Sequence, residues 1–370
     1  MNHSADLQYS DVEQELRGNV RALLAVRAPQ AATLARTESE QPVDTALWRA
    51  LADELGVTGL AVPEKSGGAG ASWRETAVVL EELGRAAAAV PYLGSAVLAT
   101  AALLAVDEAV LLPRVASGEQ VAALAVPFAT APGAAFPDAV RADSAGLLGG
   151  TVRLVADART ADVLVVPALS PDGPALYAVE RFTAVPVTSL DMTRPLADLV
   201  LDAAPGRLLA EGDAAVRAVD AALTAGAALL ASEQLGVAEW ALETTLAHVK
   251  ERHQFGRPIG SFQAVKHRLA DLWVTVAQLR AVARNAADAL ATGSADVPVA
   301  AALAQAFASQ VVVTAAEEAV QLHGGIGFTW EHPAHLYLKR AKSSSIALGG
   351  ADRHRGRLAV LVDLPAPPVS

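Results

Sequence analysis

Apolar residues return at three-to-four spacing soon after the chain begins, at Val12, Leu16, Val20, Leu23 and Leu24 and again at Leu47, Leu51 and Leu55. That is the period of a helix with one buried face. The helical texture is expected from Ser10 to about Gly118, with loops at Pro42 and over residues 63–70. Ser72 with Glu75 three residues on reads as a capping box that opens a helix, and Gly84 as the breaker that closes it. From about residue 119 to 209 the pattern changes to short valine-rich runs separated by Gly, Pro and Asp: VAALAVPF, GGTVRLV, ADVLVVPA, ALYAVE, VPVTSL and LADLVLD. Such runs predict a small all-β domain. Long helical segments return over 214–249, 263–290, 297–321 and 335–348, with a last helix over 351–362. The chain therefore reads as an α+β protein in three domains: 1–118 helical, 119–210 β and 211–370 helical. Its 370 residues suffice for two or three domains around an extended core.

Residues 86–106 carry no charge, and on length alone could cross a bilayer. Pro91, Gly94 and the many alanines argue instead for two buried helices that meet near Pro91. The start, MNHSADLQYSDVEQELRG, is polar and acidic, so no signal peptide is visible. A net charge of -11 disfavours nucleic acid and anionic membrane surfaces, which both need a positive field. The absence of cysteine excludes disulfides, thiolate metal sites and cysteine nucleophiles, and fits a reducing cytoplasm. The expectation is a cytoplasmic protein with no membrane insertion and no nucleic-acid partner.

Two polar motifs stand out. In VKERHQFGRPIGSFQ, at 249–263, Arg252 places a permanently charged fork after a long helix, suited to a pyrophosphate, with Phe255 beside it to pack on an adenine or flavin edge. In QLHGG, at 321–325, paired glycines after a helix let a backbone approach a ligand closely and free amide N–H groups for phosphate or ribose oxygens. Each also has a plainer explanation as a helix end with its ordinary breakers. His248, His253, His267, His323, His332, His335 and His354 show no two-His-plus-acid spacing, so no metal site is expected and each reads as solvated or internally satisfied.

Taken together, VKERHQFGRPIGSFQ and QLHGGIGFTWEHPAHLYLKRAKS at 321–343 resemble the two C-terminal signatures of the acyl-CoA dehydrogenase family, and GLAVPEKSGGAGASWRETAVVLEELGRA resembles its N-terminal domain. The resemblance covers nearly the whole chain. It implies an N-terminal helical domain, a small middle β-barrel or sandwich and a C-terminal four-helix bundle. It also implies FAD as cofactor, α,β-desaturation of an acyl-CoA thioester and an electron-transfer acceptor. Carried over residue by residue, the family's FAD contacts become Arg252, Phe255 and Gln263, with Gln321, His323, Gly324 and Gly325 from the segment that in the family touches the FAD held mainly by a neighbouring subunit.

The resemblance fails where the chemistry is done. The family needs a carboxylate to take the α-proton while flavin accepts the β-hydride. One family position for that Glu, before the last helix, reads Gly349 here. The other, one long helix earlier and beside an Arg, reads Gly226 and Ala227. No catalytic base is therefore assigned, and Asp352, three residues beyond Gly349, is better explained as an acid opening the last helix. The middle domain also lacks the family's flavin-facing loop and Trp-x-Thr/Ser strand, having VPFATAPGAAFPDAV and GGTVRLVADARTADVLVV instead. This selective loss resembles the subunit without the base in actinobacterial heteromeric dehydrogenases of steroid side chains. It implies an α2β2 assembly in which this chain completes the FAD site of a partner that supplies the Glu, and a place in lipid or steroid catabolism. Two alternatives stay open: a self-sufficient homo-oligomeric flavin enzyme with oxygenase-like chemistry, and a flavin-free structural partner.

Overall fold

The structure, a computed structural model, describes residues 6–365; the first five residues of the polar start and the last five lie outside the described residues. Helices α1 (Asp11–Arg27), α2 (Gln30–Thr37), α3 (Thr45–Asp53), α4 (Trp73–Arg85), α5 (Thr100–Ala105) and α6 (Leu112–Ala116) come first. Seven strands follow: β1 (Ala122–Leu124), β2 (Val140–Ala142), β3 (Leu147–Ala156), β4 (Val163–Ser170), β5 (Gly173–Val179), β6 (Thr183–Val187) and β7 (Leu196–Glu211). Then come α7 (Gly212–Glu251), the two-residue strands β8 (His253–Gln254) and β9 (Arg257–Pro258), α8 (Gln263–Thr292), α9 (Val297–His323), α10 (Ala334–Ile346) and α11 (Ala351–Leu361). The five C-terminal helices lie within two residues of the bounds expected from periodicity.

The N-terminal helices follow their pattern with instructive exceptions. Val20, Leu24, Leu47 and Leu51 are buried, but Val12 is 68% exposed. Its neighbour Glu13 is buried instead and paired to Arg74 at 2.7 Å. Helix α1 is thus held by ion pairs as well as by its apolar face, Arg17 reaching Glu81 at 2.6 Å and Glu82 at 2.8 Å. The Ser72–Glu75 capping box is present. Gly84, however, does not end its helix; it sits in the last turn of α4, where a Cβ would stand 2.1 Å from the carbonyl oxygen of Glu233 on α7. Gly236 makes the reciprocal approach, its missing Cβ 1.9 Å from the Glu81 carbonyl oxygen. These two glycines bring α4 and α7 backbone to backbone, a packing role that a local pattern cannot distinguish from a breaker. Pro91 likewise does not separate two helices. A turn precedes it, and one helical run follows, i→i+5 bonded over Tyr92–Ala99 and α-helical over Thr100–Ala105.

The middle strands close into a barrel. Strand β4 bonds β2 and β5, β2 bonds β3, β3 bonds β7 and β7 bonds β5, while β1 extends the β4 edge and β6 the β7 edge. Of the two architectures expected, barrel and sandwich, it is the barrel. The LADLVLD run understated β7, which continues through Pro205 and Gly206 to Glu211. Its first half pairs β3 and its last six residues pair β5. One strand serving two edges is what closes the sheet.

Helix α7 is the axis of the molecule. Residues 222–241 are buried without a break, because the helix is flanked by α4, α8, α9 and the run after Pro91. Helices α7 and α9 are long and apolar enough to cross a membrane, yet most of each apolar window lies inside the core, as expected of helices apolar on every side. Where the three layers meet, Glu233 of α7 binds Arg194 of the β6–β7 connection and Arg340 of α10, the latter at 3.0 Å. Arg340 also donates to Thr193 at 2.9 Å. Burial alone would raise the Glu233 carboxyl, but the two guanidinium groups outweigh it and hold it below the usual range.

Candidate functional site

The two positions at which a base was sought are packed shut. At Gly226 a Cβ would meet Leu98 Cδ2 at 2.4 Å and Leu348 Cδ1 at 2.9 Å. Both leucines are core residues, 4% and 0% exposed. At Gly349, φ is +97° and a Cβ would stand 2.7 Å from the Cβ of Ala131. A glutamate there would need both a backbone angle that disfavours side chains and a shift of the 127–135 loop. That loop is clamped in place. The Leu348 N–H donates to the Phe128 carbonyl at 2.7 Å, the Gly133 N–H to Asp220 at 2.6 Å, and the His354 imidazole bonds the Leu348 carbonyl at 2.9 Å. Leu348 itself holds φ +53°, an uncommon conformation for a branched side chain. Asp352 offers no substitute, being 99% exposed in the first turn of α11 and paired to Arg355 at 3.1 Å.

The two C-terminal motifs are open by contrast. After α7 the chain makes a two-residue hairpin in which His253 pairs Pro258 and Gln254 pairs Arg257. Its tip is Phe255–Gly256, with φ +54° and +75°, the signs of a type I′ turn. Phe255 is an aromatic in the left-handed region and 91% exposed. Neither feature favours folding, and strain that the fold retains tends to mark a working position. Phe255 lies edge-on to Phe262, ring centres 6.2 Å apart, and the Arg257 guanidinium covers Phe262 at 4.0 Å. Arg252 and Gln263 are exposed on either side of the hairpin.

Gln263 begins α8, whose N-cap residue, Phe262, provides no side-chain cap. Beside it the Ser261 Oγ is buried with no partner among the described residues. An uncapped helix start, an orphaned hydroxyl and the guanidinium groups of Arg252 and Arg257 form a positive, donor-rich setting suited to a pyrophosphate. Ser261 and Arg257 were missed by sequence reasoning. Their signal, the polar residue just before a helix without a good cap, was available in GSFQ but is common in loops.

The second motif ends α9. Gln321, Gly324 and Gly325 are exposed, Gly324 has φ +62°, and nothing lies within 4 Å of where a Cβ would stand on either glycine. Beyond them Phe328 and Trp330 are 74% and 62% exposed. His323 differs from the rest of its motif: its ring is buried and its Nδ1 bonds the Ala319 carbonyl at 2.6 Å. Its ring is turned inward, behind the two glycines. It stacks on His248 and meets His332 at a tilt. Burial, then the neighbouring His323 and His248, push His332 down to about 4. His248 is lowered too, by burial first and His323 second. Among the described residues no group of three or more His, Cys, Asp or Glu could hold a metal ion. The stack also ties the motifs together, since His248 lies one turn before Arg252 and His323 directly before Gly324.

The residues present thus fit a dinucleotide laid along the Arg252 hairpin, the start of α8 and the Gly324–Gly325 turn. Models of the acyl-CoA dehydrogenase N-terminal and C-terminal domains match residues 10–119 and 216–360. An acyl-CoA dehydrogenase of Mycolicibacterium smegmatis, IpdE2, is 40% identical over 340 residues, 92% of this chain and 95% of the relative. Among solved structures, a chain of the ChsE4-ChsE5 complex from Mycobacterium tuberculosis has a TM-score of 0.86 at 31% identity, covering 98% of this chain and 100% of its own. A variant of the Tcur3481-Tcur3483 steroid ACAD has a TM-score of 0.84 at 33% identity, covering 95% and 98%.

Proposed function

The chain belongs to the acyl-CoA dehydrogenase family, FAD-dependent oxidoreductases, and on that premise we propose that it is the subunit without the catalytic base in a heteromeric dehydrogenase, most simply α2β2. The observation that carries the reading is the contrast within the site: Gly226 and Gly349 are closed by Leu98, Leu348 and Ala131, while the dinucleotide-facing motifs are open. The partner chain supplies the Glu that takes the α-proton and the pocket for the acyl group. Bound FAD would accept the β-hydride and hand the electrons to an electron-transfer acceptor.

This chain's own residues bind and orient. Arg252, with Arg257 and the free N–H groups at the start of α8, neutralises the pyrophosphate. Phe255 would offer its ring to the adenine or flavin edge, Gln263 and Gln321 would hydrogen-bond polar edges, and Gly324 and Gly325 would allow close backbone approach. The two similar solved structures named for a pair of components, ChsE4-ChsE5 and Tcur3481-Tcur3483, support a two-chain assembly, and the second, named a steroid ACAD, supports a bulky steroid-type CoA thioester as substrate.

The test is flavin content of the complex purified with its partner. Arg252→Ala should leave the complex assembled but weaken FAD binding by about tenfold to a hundredfold, the worth of a charge-assisted hydrogen bond. Undiminished flavin in that variant, and in one with Gln321 and Gly325 replaced, would remove the assignment.

A further inference from the structure

Three imidazoles, His323 buried and His248 and His332 partly exposed, lie between the two open motifs. The His248 ring stacks on His323 with centres 4.4 Å apart and planes at 29°, and His323 meets His332 at 4.4 Å and 42°. The column is tied to three separate pieces of chain. His248 belongs to the last turn of α7. His323 ends α9 and is fixed by its bond to the Ala319 carbonyl, which makes Nδ1 the protonated nitrogen while the ring is neutral. His332 lies in the connection to α10 and its Nδ1 accepts from the Ala334 N–H at 3.2 Å. His248 lies one turn before Arg252, and the central ring, His323, lies directly before Gly324. The segment after Gly324 also runs close to α9 at Gly327, where a Cβ would stand 2.6 Å from the Val320 carbonyl oxygen.

We infer that His248, His323 and His332 are positioning residues: the column sets the spacing between the Arg252 hairpin and the Gly324–Gly325 turn, and so the affinity of the flavin site. The inference rests on the assignment of those two motifs to FAD. Faces 4.4 Å apart accept neutral rings, whereas two imidazolium charges at that distance repel. The site is therefore expected to loosen on acidification. The charged groups around the column only partly oppose this. His248 faces Glu251 and Arg252 on its own helix. His332 faces His335, which in turn faces Lys339 of α10 and Glu38 beyond the end of α2. Among the described residues, the carboxylates that face this set are Glu251, beside His248, and Glu38, beside His335.

The test is titration of FAD into the flavin-stripped complex, followed by flavin fluorescence from about pH 8 to about pH 4, the value to which His332 is pushed down. The parent should bind more weakly as pH falls. His248→Ala should weaken binding at pH 8 by about tenfold. His248→Phe, which keeps a stacking ring that cannot charge, should restore most of the affinity and flatten the pH profile. His332→Ala, in a loop, serves should the α7 variant fail to fold. Parental affinity and pH profile in His248→Ala and His332→Ala, with Arg252→Ala impaired, would overturn the inference alone. An unimpaired Arg252→Ala would remove the flavin assignment beneath it.

Discussion

Two regions of this molecule have opposite fates. Around Gly226 and Gly349 the chain is closed: leucines fill the space, the 127–135 loop is bonded down on both sides, and Glu233, two turns on from Gly226 in α7, is locked between two arginines. Around Arg252 and Gly324 it keeps features that folding alone would remove, including an aromatic at positive φ that is 91% exposed, an uncapped 30-residue helix and an orphaned hydroxyl. The lesson, on the proposed reading, is that a site can be divided by halves: the positions of the family's base are core here, and the proposed cofactor half carries the costs of being a surface for something else.

The contrast makes separable demands on variants: changes in the closed region should lower stability, and changes in the open region should lower flavin content. The largest effect is expected for Glu233→Ala, which strands Arg194 and Arg340 in the interior and should cost about 3–5 kcal/mol in urea unfolding. A loss under about 1 kcal/mol would mean that water reaches this junction and the region is less closed than described. Next, Gly349→Glu restores the family's residue but not its surroundings. It should cost about 2–4 kcal/mol through strain at φ +97° and overlap with Ala131, and give the isolated chain no dehydrogenase activity. Activity in that variant would show that the pocket opens readily.

Phe255→Gly inverts the logic. Removing a side chain from the left-handed region should leave stability within about 1 kcal/mol of the parent, or improve it, while flavin content of the complex falls. The smallest effect concerns pH. His248 and His332 are held below their unfolded range, so the unfolded chain binds more protons than the folded one as pH falls through that interval. Stability should be complete above about pH 6.5 and decline as pH drops toward about 4. The His248→Phe and His332→Phe double variant should lose part of that slope.

The fold was legible because its long helices are strongly periodic and its strands are bounded by turn residues. What escaped were features set by distant partners. Gly84 and Pro91 are punctuation in the sequence, yet Gly84 is a helix contact that becomes visible only beside Glu233. Val12 fitted the apolar stripe, but a buried ion pair, Glu13 with Arg74, decides that face. At the site, the motif residues Arg252, Phe255, Gln263, Gln321, Gly324 and Gly325 all prove exposed at the ends of α7 and α9 and the start of α8. The His column was illegible because His248 and His323 are far apart in the chain and carry no spacing signal. The two glycines at 226 and 349 announced a missing carboxylate, but not that leucine and alanine side chains had closed the space.

The account's central claim, that this chain contributes half of a shared flavin site and none of its own, is tested most directly by the flavin-to-protein ratio. The chain purified alone should be colourless, and the complex with its partner yellow, with about one FAD for two chains, as expected when a cofactor needs both surfaces to bind. A stoichiometric flavin spectrum from the isolated chain would contradict it.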